Sequence, residues 1–128
     1  MKIKLLILIG ILAVILLSCE GTTISSPKDI VFPDSKVSYL SHVDPFLRLT
    51  CGYAGCHGNY AAAGIILTDY FEIMKSPGLV LPGNPDQSYL IQIIEEKIPH
   101  TTYFERSQIT ANHIKGMRTW VKEGALNN

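Results

Sequence analysis

The sequence predicts a small all-α domain of three to four short helices with long connecting loops. Three observations predict it. Apolar residues recur at helical spacing in two stretches, Leu90, Ile91, Ile94 and Ile98, and then Ile114, Met117 and Val121. Helix start and stop signals frame these and two shorter segments. The remaining apolar runs, Ile65-Ile66-Leu67 and Leu79-Val80-Leu81, are too short for helices and read as extended connections.

The chain has 128 residues, enough for one small domain, and is 47% apolar, which excludes a disordered chain. Much of that apolar content lies at the N-terminus. Lys2 and Lys4 precede an apolar run from Leu5 to Leu17. As a helix that run spans about 20 Å, short of the ~30 Å hydrocarbon core, so it reads as a signal peptide over 1–18. The segment Leu16-Leu17-Ser18-Cys19 resembles a bacterial lipoprotein cleavage box. The resemblance implies cleavage before Cys19, acylation of that cysteine and attachment to a lipid bilayer. An uncleaved anchor helix is the alternative, and both place the domain outside the cytoplasm, at the cell envelope. Residues 19–36 are polar, with Pro27 and Pro33, and read as a flexible tether on which Ile30-Val31-Phe32 touches the domain. The folded domain is expected over 37–128.

Within it, Asp44-Pro45 predicts a helix start, with an N-cap carboxylate followed by proline. Phe46, Leu47 and Leu49 then lead to Cys51, and His42 lies just before this helix as a surface or capping residue. Thr68-Asp69 predicts the cap of a short helix through Met74, stopped by Ser76-Pro77-Gly78. Pro82-Gly83-Asn84-Pro85 is a turn-rich joint. The next helix starts at Asp86 or Ser88 and runs to Pro99, where proline ends it. A loop follows from His100 to Ser107. Thr110 caps the last helix, Trp120 is expected beside the small Gly116, and Gly124 closes the helix C-terminally. Basic and acidic residues balance at 11 each, so charge does not point to nucleic acid.

Chemistry concentrates in Cys51-Gly52-Tyr53-Ala54-Gly55-Cys56-His57-Gly58. Cys-x-x-Cys-His is the signature of covalent c-type haem attachment, in which two thiols become thioethers and the adjoining imidazole takes the iron. Here the spacer is four residues, and Gly52 and Gly55 are expected to supply the backbone freedom for the bulge. In an envelope compartment, paired thiols are oxidised or ligated. Long apolar connections are hard to stabilise in a small domain, and a buried flat cofactor would give them a surface to pack on.

Residues 51–125 resemble the small cytochrome c-like domain of planctomycete-type and related envelope proteins. The resemblance rests on four blocks in order: the Cys…Cys-His-Gly loop, then Ala61-Ala62-Ala63-Gly64-Ile65-Ile66-Leu67. Pro82-Gly83-Asn84-Pro85-Asp86-Gln87-Ser88-Tyr89-Leu90 and Trp120-Val121-Lys122-Glu123-Gly124-Ala125 complete it. It implies one haem c, held by Cys51 and Cys56 with His57 proximal. It also implies a non-enzymatic electron carrier with an envelope redox partner that the sequence does not name. The family's usual Met-Pro-Pro is replaced by Ile98-Pro99-His100, which leaves the sixth ligand open. His100 is one candidate and a water-bound or open site is another, with Met117, Met74 and His113 behind them. A second histidine generally leaves the potential lower than methionine does. Two non-haem alternatives use the same residues. A Cys51–Cys56 disulfide, worth about 2 kcal/mol in the chain-entropy model, would suit an interaction module. A metal site of Cys51, Cys56, His57 and His100 would crowd three ligands into seven residues.

Overall fold

The computed structural model describes residues 23–60, 64–101 and 108–128. The signal segment 1–18, the lipidation candidate Cys19, the stretch 61–63 and most of the loop expected after His100 lie outside the described residues. Among the described residues four α-helices form: α1 (Asp44–Thr50), α2 (Tyr70–Lys75), α3 (Tyr89–Ile94) and α4 (Ala111–Lys122). Among the described residues there is no strand. The all-α expectation holds at that level.

The caps explain most boundaries. Asp69 accepts a hydrogen bond from the Glu72 amide at 3.0 Å and starts α2. Thr110 accepts from the His113 amide at 3.3 Å and starts α4. At the far end of α4, the chain reverses through Gly124 (φ +102°) and Ala125 (φ +51°). There the Ala125 amide bonds the Trp120 carbonyl, and Trp120 Nε1 donates to the Leu126 carbonyl. In the Pro82–Pro85 joint the buried Ser88 hydroxyl closes the turn. It accepts from the Leu81 amide and donates to the Asn84 carbonyl, both at 2.9 Å.

Three boundaries differ from expectation. Asp44 does not cap α1. A π-helical turn, Tyr39–Val43, runs into α1 without a break, and Asp44 instead pairs with Arg48 one turn on. Helix α3 ends at Ile94 rather than near Pro99, because Glu96 turns the chain with φ +60°. Ile98 is therefore only half-buried, whereas Leu90, Ile91 and Ile94 are core. On α4 the buried stripe is His113, Gly116, Met117, Trp120 and Val121, and Ile114 sits at its edge, half-exposed.

The largest correction concerns the segment expected as a tether. From Ser25 onward the chain is a strap laid across α4 and α1. A 3-10 turn at Pro27–Asp29 is closed by a capping box between Ser26 and Asp29. Ile30 and Phe32 are then buried in the same core as Phe46, Met117 and Trp120. Gly116 makes this possible, because a Cβ there would fall 2.1 Å from the Phe32 ring. The strap has no sheet partner, so side chains of α4 satisfy its backbone. Asn112 Oδ1 accepts from the Phe32 amide at 2.8 Å and its Nδ2 donates to the Phe32 carbonyl at 2.9 Å. His113 Nε2 bonds the Ile30 carbonyl at 3.0 Å. The Glu123 carboxylate accepts from the amides of Lys36 and Val37 at 2.7 and 2.9 Å. The folded unit therefore begins near Ser25, not at Val37.

Candidate functional site

The C-terminal end of α1 delivers Cys51, and the loop behind it is tightly hydrogen-bonded. The amides of Cys51 and Gly52 both bond the Leu47 carbonyl at 2.8 Å. The amides of Cys56 and Gly58 both bond the Tyr53 carbonyl at 2.9 Å, and the His57 amide reaches back to the Cys51 carbonyl at 3.2 Å. The two extra spacer residues are thus absorbed in a closed turn rather than an open bulge.

The glycines act differently from expectation. Neither Gly52 nor Gly55 has a positive φ. Gly52 is required by close approach, since a Cβ there would lie 2.7 Å from the Thr68 methyl and 3.0 Å from the Arg48 backbone. Gly55 has open space around it. Gly58, which the spacer argument passed over, is enclosed by backbone alone. Its Cβ would fall 2.8 Å from the carbonyl oxygens of both Gly52 and Tyr53. The signal was in the sequence, as the glycine after the histidine, but its reason is a chain crossing that spacing does not show.

Cys51 and Cys56 are half-buried thiols, and no disulfide joins them. Cys51 Sγ lies 3.3 Å from the Thr50 hydroxyl, which is itself anchored on the Phe46 carbonyl at 2.7 Å. His57 is half-buried, and its Nδ1 lies 3.0 Å from the Ile65 carbonyl oxygen. A carbonyl only accepts, so the proton sits on Nδ1 and the lone pair is left on Nε2. Metal-binding histidines are oriented by this same kind of bond on the other ring nitrogen. The Leu67 amide donates to the His57 carbonyl at 2.8 Å, so Ile65 and Leu67 hold the residue from both sides.

The structure brings His100 to this site. Its ring centroid lies 5.8 Å from that of His57, with the ring planes 29° from parallel. Two imidazoles bound to one ion from opposite sides, with metal–nitrogen bonds of about 2 Å, hold their centroids about 6 Å apart. In the sequence 42 residues separate these two histidines. The other ligand candidates are placed elsewhere. Met117 is fully buried in the core, and Met74 packs against it. His113 is buried with both nitrogens occupied, Nδ1 by the Thr110 amide and Nε2 by the Ile30 carbonyl. His42 accepts from the Ser38 amide at 3.3 Å and leans on Phe32. Among the described residues no three His, Cys, Asp or Glu side chains converge as a metal group.

The residues present fit a covalently attached haem on two counts. Two half-buried thiols flank the loop that carries His57, and the His57 Nδ1–Ile65 contact leaves Nε2 to offer, with the His100 ring beside it. No family model, curated protein or solved structure matches the chain.

Proposed function

We propose that the protein is a lipid-anchored electron carrier of the cell envelope, with one haem c on Cys51 and Cys56 and His57 as its proximal ligand. His100 is the opposite ligand in this reading. The observation that carries it is the His57–His100 pair: a ring locked by Ile65 and a second ring 5.8 Å away. The bound haem would supply reversible one-electron transfer. The chain's own residues do the rest. Cys51 and Cys56 fix the macrocycle to the end of α1. Ile65 keeps the His57 ring from rotating and makes it a better donor. With His57 and His100 as its ligands, the haem would have a lower potential than with a methionine opposite His57. No redox partner is specified by this reading.

The test is production in a bacterial host competent for c-type haem attachment, followed by intact mass and absorption spectra. The expected mass is that of the mature chain plus one haem. A mass short by two hydrogens, with a colourless protein, would instead mark a Cys51–Cys56 disulfide and a non-haem interaction module. His57→Ala is expected to keep the attached haem and lose the low-spin spectrum. His100→Ala is expected to turn the wild-type low-spin spectrum high-spin, and an unchanged spectrum would remove His100 from the iron.

A further inference from the structure

The strap has a consequence for how the domain sits on a membrane. Six residue steps separate Cys19 from Ser25, where the docked chain begins. Fully extended, six residues reach about 20 Å. The capping box then fixes the path: Asp29 Oδ2 accepts from the amides of Ser25 and Ser26 at 3.0 and 2.8 Å. Beyond it the strap is bonded to α4 through Ile30 and Phe32. An acyl group on Cys19 would therefore hold the strap's side of the domain within about 20 Å of the bilayer. On that side two apolar side chains are exposed, Ile24 at 42% and Val31 at 71%, with Lys28 and Asp29 exposed between them. Pro27, Ile30 and Phe32 of the same stretch are buried instead. Exposed apolar groups with a lysine among them suit the interfacial zone of a membrane, where the apolar groups enter and the ammonium stays with the phosphates, while the neighbouring Asp29 carboxylate is taken up by the Ser25 and Ser26 amides.

We propose that the strap face formed by Ile24, Lys28 and Val31 rests on the anionic headgroup surface of the membrane that holds Cys19. This orients the domain rather than letting it swing on a free tether. The proposal rests on the reading of Cys19 as the acylated residue and is independent of whether haem is bound.

The test uses the full chain made in a bacterium that acylates lipoproteins, placed in nanodiscs of phosphatidylethanolamine and phosphatidylglycerol. Intact mass is taken first. Acyl chains on the mature protein satisfy the anchor reading, and their absence ends both that reading and this proposal. Amide line widths are then compared between nanodiscs carrying gadolinium-chelating lipid and those carrying diamagnetic lutetium. Amides of residues 24–31 are expected to broaden several-fold more than the mean of the other described residues. The double variant Ile24→Asp/Val31→Asp, changed only at exposed positions, is expected to stay acylated and folded and to lose most of that excess. Uniform broadening in an acylated protein, broadening centred on another face, or a double variant that behaves as wild type would each overturn the proposal.

Discussion

Thr68 shows how single residues frame the site. Its hydroxyl donates to Asn59 Oδ1 at 2.7 Å, just past His57, while its methyl covers Gly52, just past Cys51. Its carbonyl accepts from Arg48, which is held in turn by Asp44 at 2.8 Å. One short side chain thus spans both flanks of the Cys51–His57 loop and ties them to α1. Gly58 is the complementary case, defined by what it lacks. Adding one methyl there sets a carbon 2.8 Å from two carbonyl oxygens, so the backbone crossing cannot close. Gly58→Ala is expected to destabilise the domain by about 1–3 kcal/mol, the range for overpacking. It should also lower the yield of haem-loaded protein far more than Gly55→Ala, whose Cβ meets nothing within 4 Å. Denaturant midpoints and the ratio of haem absorbance to protein check both.

Among the elements, the strap is one whose stability responds to pH. The amides of Ser25 and then Ser26 hold the Asp29 carboxyl below the ordinary carboxylate value of 3.8. A carboxylate with a lowered folded pKa adds stability at neutral pH and loses it as pH falls through the folded value. The start of the strap is therefore expected to fray in acid, below the ordinary carboxylate range, while α4 stays folded. Hydrogen exchange at Ser25 and Ser26 should quicken there, and Asp29→Asn should remove the pH dependence. The outer face of α4 carries a comparable contact. Arg118 bridges Asp86 at 2.6 Å and Glu95 at 2.9 Å, fastening the joint before α3 and the turn after it to the same helix. Helix α4 is thus the common support for the strap on one side and for the surroundings of α3 on the other.

For the molecule as a whole, the strap decides where the folding unit starts. Phe32 stands edge-on to Phe46, with ring centroids 5.8 Å apart, and fills the hollow over Gly116. Phe32→Ala is expected to cost about 3 kcal/mol or more, as for other buried phenylalanines. A chain beginning at Val37 should fail to fold as a soluble unit, since it lacks Ile30 and Phe32 from the core. A loosely attached tether would instead give almost no change in either experiment. Thermal or denaturant unfolding of the soluble domain measures both. The C-terminus joins the same arrangement. Asn128 accepts from the Tyr39 and Leu40 amides through its side chain and carbonyl, so the C-terminus closes on the π-helical turn before α1.

What the sequence determined alone is whatever depends on near neighbours. The caps at Asp69 and Thr110, the reversal at Gly124 and the turn at Pro82–Pro85 are set by local hydrogen bonding and backbone preference, and they were legible residue by residue. So was the Cys51–His57 loop as a chemical unit, because its groups lie within seven positions. Tertiary structure decided the features in which distant residues meet. Polar Ser, Thr, Lys and Pro around Ile30 and Phe32 disguised a core strap, since the partners that satisfy its backbone, Asn112, His113 and Glu123, lie some 80 residues on. His113 took a buried seat on α4 that an apolar stripe had assigned to Ile114, because both of its ring nitrogens find partners there. The approach of His100 to His57 is of the same kind. Spacing along a chain constrains what is close in sequence, and only the packed core fixes the distance between side chains that are far apart in it.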